Sequence, residues 1–477
     1  MNNASYESPL TARYASPEMS HLFSADFKYS TWRKLWIALA QGEAELGLPI
    51  QPEQIQELIK HADKIDYDRA AKYEKDLKHD VMAHIHAYGD QCPTARPIIH
   101  LGATSCYVTD NADIIQMREG LKILFVKTLQ VIRQLAQFAE KYADLACLGF
   151  THFQPAQLTT VGKRACLWLQ DFATDLQELE LRQKQLKFLG VKGTTGTQAS
   201  FLALFGQDDE KVRQLDQIVS KKMGFDQVYA ISGQTYTRKQ DVLVSQALSG
   251  IAVSAHKFGT DLRLLAHLKE IEEPFHAKQV GSSAMPYKRN PMHSERICSL
   301  SRFILSLSEN APYTAALQWL ERTLDDSANR RLSIPELFLT TDAVLNLLIQ
   351  VTAGMVVYPQ VIAKHVAEEL PFMATENILM VCVKKGSDRQ TLHEKLRVHS
   401  QAAGDKIKQE GKSNDLLERI TQDTDFKLSK DELSNILDIQ AFIGRAPAQT
   451  KEYLKQEMAP LLSQYKELNY NPCHIEV

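Results

Sequence analysis

The sequence predicts an all-α fold, a central bundle of long helices flanked by two smaller helical domains. Three observations point there. Apolar residues recur at alternating steps of three and four through three long stretches. These are Ile114, Met117, Leu121, Leu124, Thr128, Val131, Leu135, Phe138 and Tyr142; then Leu158, Val161, Ala165, Trp168, Phe172, Leu176 and Leu179; then Val244, Leu248, Ile251, Ala255, Phe258, Leu262 and Leu265. A seven-residue repeat keeps one seam facing a partner, which implies long, nearly antiparallel helices. Strand signals are sparse, with no sustained apolar–polar alternation and few hairpin dipeptides. Finally, 477 residues exceed one ordinary core, so two or three domains are expected.

In chain order, residues 1–110 form a mixed opening segment. Trp32 to Leu46 is helical in pattern and is stopped by Gly47-Leu-Pro49, and a second helix covers Pro52 to His61. Pro93, Pro97 and Gly102 break the chain into turns before Thr104-Ser-Cys106. The bundle is assigned to residues 111–357. Thr128 interrupts one of its seams, and Gly250 and Gly259 interrupt another helix, where small residues suit close helix approach. Each glycine costs up to about 1 kcal/mol in an exposed helix. Lys192-Gly-Thr-Thr-Gly-Thr197 reads as a tight turn, and Arg330 to Val357 as a further bundle helix. From Tyr358-Pro359 the pattern shortens into the smaller helices of a domain spanning 358–477.

Composition narrows the function classes. Hydrophobic content of 44% and charged content of 24% describe a soluble globular protein. With 55 basic and 58 acidic residues the net charge is −3, so no global field draws the chain to nucleic acid or membrane, and local clusters must carry any anion recognition. Seven scattered cysteines without a C-x-x-C pair argue against a disulfide framework or zinc site and for a reducing compartment. No basic-then-apolar pattern opens the chain, and the most apolar run, Ala343 to Val357, is too short to span a bilayer. A cytoplasmic location is expected.

The stretch from Gly281 to Arg296 stands apart. It follows an apparent helix ending near Glu273-Pro274 and precedes another beginning near Pro291. Pro286, Pro291 and Gly281 keep most of it out of regular helix. No acidic residue lies between Glu273 and Glu295, whereas Lys278, Lys288 and Arg289 do, with Arg296 just beyond. Two readings compete, a solvated interhelical loop and a lid over an anionic ligand. Structureless loops beyond about 12–15 residues lean towards function. A Walker-type phosphate loop is excluded, because no glycine precedes Lys288 and no Ser or Thr follows it.

Gly281-Ser-Ser-Ala-Met-Pro-Tyr-Lys-Arg-Asn-Pro291 resembles the signature loop of the fumarase/aspartase/argininosuccinate lyase superfamily. Its fuller context, Gln279 to Met292, is most similar to the adenylosuccinate lyases of the animal type, and the resemblance spans nearly the whole chain from Arg13 to Glu376 and beyond. It implies a fumarase/aspartase-like fold, a homotetramer with sites shared between subunits, and no metal or organic cofactor. The implied reaction is β-elimination of fumarate from adenylosuccinate and from succinylaminoimidazole carboxamide ribotide (SAICAR).

The resemblance also assigns residues. His152, in Thr151-His-Phe-Gln-Pro-Ala-Gln157, matches the general acid. Taken alone it is a histidine between two aromatics just before a long helix, where the helix dipole favours anions and imidazole can protonate a leaving nitrogen. Ser282 matches the general base, although a serine hydroxyl is a poor base unless donors and positive charge stabilise its alkoxide, which Lys288 and loop N–H groups could supply. Ser283 is the local competitor, and sequence does not choose between them. Lys78-His79-Asp80 stands where the family has Arg-His-Asp contacting the nucleotide, and Lys78 keeps the charge but loses the guanidinium fork. A metal reading of His79, His84 and His86 fails on spacing. Arg13-Tyr14 matches a nucleotide-binding element. Arg322, Ser327 and Arg331 match the phosphate clamp, a role that guanidinium forks and a hydroxyl suit. Thr104, Ser105, Gln234, Lys288, Asn290 and Arg296 match positions that hold the dicarboxylate or line the site, and His293 stands where relatives often carry arginine. The runner-up readings are argininosuccinate lyase, which has no phosphate to clamp, and a helical scaffold without turnover.

Overall fold

The seams pair as the periodicity requires. In the computed structural model, which describes residues 6–275 and 279–470, five helices make the bundle: Ser105–Lys141, Val161–Gln185, Lys239–His267, Met292–Leu307 and Asp325–Gly354. The first packs on the second and fifth, and the third on the second, fourth and fifth. Ile114, Met117, Leu121, Leu124, Val131 and Leu135 are all buried along the first helix. Thr128 is accommodated in the same seam because its hydroxyl donates back to the Leu124 carbonyl at 2.9 Å. Small residues set the spacing as anticipated: a Cβ on Gly259 would lie 2.9 Å from Cys298 Sγ, so the third and fourth helices touch there almost backbone to backbone.

Four local expectations are corrected. The 146–160 segment is a β-hairpin, Ala146–Thr151 paired with Gln154–Thr160, and Leu158 belongs to its second strand rather than to the helix seam. Its turn, His152-Phe153, has φ of 52° and 57°. This is the left-handed pair of a two-residue hairpin, which the sequence did not announce with the usual Asn-Gly. The helix before the signature loop ends at His267 instead of Glu273, because Ile271–Glu272 pairs with Val356–Val357 as a short second sheet. The same pairing ends the fifth helix at Gly354, three residues before Val357, and that helix begins at Asp325. Finally, the early helix around Trp32 spans Ala25–Glu45, starting from a Ser24 cap whose side chain accepts the Phe27 N–H.

Apolar residues of the opening segment, among them Trp32, Trp36 and Tyr88, join the same continuous core as the bundle. A smaller separate core, from Ala374 to Leu433, holds most of the C-terminal helices together. The Asp325–Gly354 helix is long and apolar enough to cross a membrane, yet 78% of its most apolar window is buried inside the bundle, as befits a core helix. It also anchors the N-terminus. Asp342, fully buried, pairs with Lys127 and accepts the Ser16 N–H at 2.6 Å, fixing the turn that carries Arg13 and Tyr14. Cys92, Cys106, Cys147, Cys166, Cys298 and Cys382 are all free thiols and all buried; Cys473 and the loop cation Lys278 lie outside the described residues.

Candidate active site

A cleft of about 870 Å³ opens where the first and fifth bundle helices begin. Three elements supply its polar lining. Helix Tyr67–Leu77 ends on Lys78, whose φ of 55° turns the chain sharply so that Lys78, His79 and Asp80 face the cleft together. His79 caps the next helix, its Nδ1 accepting the Met82 N–H at 3.3 Å, which leaves Nε2 to meet Ser105 Oγ at 3.3 Å. Ser105 opens the first bundle helix, with Thr104 as its N-cap residue. Across the cleft, Asp80 Oδ2 pairs with Arg331 Nη2 at 3.3 Å. Gln234 is held at both ends: the Cys106 thiol donates to its Oε1 at 3.4 Å, and its Nε2 donates to the Thr194 carbonyl at 2.9 Å. Arg322, Ser327 and Arg331 line the same wall around the start of the fifth helix. Eight of the sixteen residues nominated from sequence therefore line one cleft, and Thr104 adjoins it.

The signature loop is elsewhere. Ser282 Oγ accepts two backbone N–H bonds, from Ala284 at 3.3 Å and from Met285 at 3.1 Å. The loop is closed by Asn290 Nδ2 donating to the Gly281 carbonyl at 2.6 Å and by Lys288 N–H donating to the Met285 carbonyl at 3.0 Å. A Cβ on Gly281 would fall 2.0 Å from the Lys288 carbonyl oxygen, so only glycine fits. Lys288 and Ser283 are exposed. His293 pairs with Glu273 at 3.0 Å. Burial works to raise the Glu273 pKa, but hydrogen bonds from His293 and Ser294 outweigh it and hold the carboxyl below its usual range. Arg296 lies over the Tyr14 ring, 5.7 Å from its centroid, which brings the N-terminal pair to the helix that follows the loop.

His152 does not line the cleft either. It sits exposed at the hairpin tip, nine residues ahead of the Val161 helix start, so the helix dipole invoked from sequence does not reach it. Within one chain, then, neither His152 nor Ser282 lines the Lys78–Arg331 cleft.

Residues 12–305 match the family described as lyase, and residues 371–453 match the adenylosuccinate lyase C-terminus. The chain is 54% identical over 468 residues to the adenylosuccinate lyase of Schizosaccharomyces pombe, covering 97% of each. It is 51% identical to that of Saccharomyces cerevisiae, with 97% and 96% covered, and 47% identical to that of Schistosoma mansoni, with 97% of each covered. The chain belongs to the adenylosuccinate lyase family. Among solved structures, the 3-carboxy-cis,cis-muconate lactonizing enzyme of Pseudomonas putida shares its fold with a TM-score of 0.82 at 21% identity, covering 96% of this chain and 98% of that one. A fumarate lyase from Mesorhizobium sp. BNC1 does so at 0.79 and 20%, with 95% and 100% covered.

The floor of the cleft in this adenylosuccinate lyase family member is an ion network that sequence reading missed. Arg238, 2% exposed, donates to both oxygens of Asp110 and to Asp326 at 2.8 Å. Arg322 binds Asp326 from the other side at 3.1 Å, so a buried carboxylate bridges a core guanidinium and a cleft one. Arg330 similarly joins Asp241 and Asp113 and donates to the Tyr236 hydroxyl. Burial disfavours the charge on Arg238, but Asp110, Tyr236 and Asp241 together outweigh it and keep the group protonated. The available signal was the placing of Asp110 and Asp113 one helical turn apart at the start of an apolar seam, where a charge needs a partner.

Proposed function

We propose that this lyase eliminates fumarate from adenylosuccinate, giving AMP, and from SAICAR, giving AICAR, in purine and AMP biosynthesis. The observation that carries the reading is the pair of N–H bonds converging on Ser282 Oγ. Deprotonated serine is costly unless donors are already aimed at it, and here two are, while Ser283 has none among the described contacts. Ser282 removes the proton beside the succinyl carboxylate, Lys288 and loop amides hold the aci-carboxylate that forms, and His152 protonates the departing nitrogen. The negative charge rests on the substrate's own carboxylate, so the scheme calls for no metal or organic cofactor. Arg322, Ser327 and Arg331 take the phosphate, with Lys78, His79, Asp80, Arg13 and Tyr14 around the nucleotide. Thr104, Ser105, Gln234, Asn290 and Arg296 surround the dicarboxylate.

The assembly we infer is a homotetramer whose sites combine the cleft of one chain with His152 and Ser282 of others. Two observations support it. Neither His152 nor Ser282 lines the cleft of its own chain, and the bundle helices leave large apolar side chains exposed, among them Leu167 at 50% and Val253 at 57%. The domain division at about residues 111 and 358 gives the bundle both the assembly and the signature loop. The buried free thiols agree with a cytoplasmic location. The test is ultraviolet detection of fumarate released by the purified protein from adenylosuccinate, SAICAR and argininosuccinate. Turnover of the first two is expected; turnover of argininosuccinate alone, or of none, overturns the reading.

A further inference from the structure

His152 is presented by a hairpin tip with little holding it directly. Its turn is exposed, both turn residues are in the left-handed region, and the ladder behind it is broken. Leu148 pairs with Leu158 and Phe150 with Pro155, so Gly149 alone faces both Ala156 and Gln157, a β-bulge. Glycine is required there, because a Cβ would come 2.6 Å from the Gln157 carbonyl oxygen. A bulge re-aims what lies beyond it, and a tip beyond a bulge swings unless something braces it.

One side chain does brace it. Arg164, in the first turn of the Val161–Gln185 helix, donates through Nη2 to the Leu148 carbonyl at 2.5 Å, where the ladder breaks. Its guanidinium also lies over the Phe150 ring at 5.9 Å, and Phe150 packs on Phe153 of the turn with ring centroids 5.6 Å apart. Arg164 Nη1 is buried, and the guanidinium also faces the buried Cys147 thiol of the same strand.

We propose that Arg164, acting through Phe150 and Phe153, is the positioning residue that sets the height and orientation of His152 for proton transfer to the leaving nitrogen. The inference rests on His152 being the proton donor. Arg164 is not itself a catalytic residue, since it touches the bulge and the ring and not the tip.

The test uses the full-length enzyme with Arg164→Met, Arg164→Lys and Phe153→Ala. Steady-state kinetics with adenylosuccinate are combined with hydrogen exchange over residues 146–160. A catalytic group displaced by about an ångström costs on the order of a hundredfold. Arg164→Met should therefore lower kcat by roughly ten- to a hundredfold with KM little changed. It should speed exchange in the hairpin alone, and Arg164→Lys should recover part of kcat. Phe153→Ala, a change at an exposed turn that leaves the core intact, should reproduce the kcat-selective loss. In a His152→Ala background, Arg164→Met should remove none of the residual activity. The proposal is overturned by unchanged kcat in both Arg164→Met and Phe153→Ala, by a loss confined to KM, or by an equal further loss in the His152→Ala background. Wild-type turnover by His152→Ala would instead sink the proton-donor reading, and the exchange data would still report whether Arg164 holds the tip.

Discussion

At the scale of single residues, two side chains make opposite demands on charge. Arg331 points its guanidinium into the cleft with Asp80 as its one described ion-pair partner. If it clamps the phosphate, Arg331→Ala should raise KM for adenylosuccinate about ten- to a hundredfold, the worth of one charge-assisted hydrogen bond at roughly 1.5–3 kcal/mol. Dephosphorylated succinyladenosine should be indifferent to the change; equal losses for both compounds would make the residue structural. Glu43 is the contrary case. It is fully buried, neither carboxyl oxygen meets a hydrogen-bond partner among the described residues, and burial pushes its pKa up to about 9. The folded protein keeps this proton over a range where the unfolded chain, titrating near 4.5, has released it. Stability from Glu43 therefore falls as pH rises from 4.5 towards 9, by at most about 1.4 kcal/mol per pH unit. Glu43→Gln should raise the melting temperature at pH 8 and change it little at pH 5. Equal shifts at both values would mean that ionisation of Glu43 is not what costs stability.

At the scale of elements, the signature loop is a small self-contained structure. Its geometry depends on Gly281 meeting the Lys288 carbonyl and on Ser282 collecting two amides. Ser282→Ala should abolish elimination while adenylosuccinate still binds, because the hydroxyl acts on a proton and not on affinity; single-turnover fumarate formation near the wild-type rate would transfer the role to Ser283 or a histidine. Gly281→Ala tests the frame and not the base. An added methyl cannot share space with backbone, so the loop must open, and kcat should collapse even though Ser282 is intact. Because the loop is largely exposed, the melting temperature should stay close to that of wild type, and a large drop would place Gly281 in the stability core instead.

At the scale of the whole molecule, a cleft that neither His152 nor Ser282 of its own chain lines makes a quantitative claim about assembly. Neither His152→Ala nor Ser282→Ala homotetramers should keep more than a trace of wild-type turnover. Mixed and allowed to exchange subunits, they should rebuild sites that take His152 from one chain and Ser282 from another. With random equal mixing, about one site in four is intact, so activity should climb towards about a quarter of wild type. Native mass spectrometry of differently tagged chains must first show mixed tetramers. Mixed tetramers that stay inactive would mean that both residues come from one subunit or that one of them is not catalytic.

What the sequence determined by itself is what local spacing or a contiguous motif can carry. The steps of three and four placed the bundle helices, since the side chains that share a seam follow from helix geometry alone. The Gly281–Pro291 run named the loop because its chemistry is continuous along the chain. The nominations of Lys78, His79, Asp80, Ser105, Gln234, Arg322, Ser327 and Arg331 converged on one cleft because motif resemblance had already encoded their meeting. Only the tertiary structure decided the rest. The His152 hairpin was invisible because His-Phe takes left-handed angles that neither residue favours, and the bulge and packing around it must hold the turn. The Asp110–Arg238–Asp326 floor joins residues 128 and 88 positions apart, and the Ser16–Asp342 anchor spans 326. Such pairings have no local signature: a buried charge signals that a partner must exist, and only the packed fold says which residue it is.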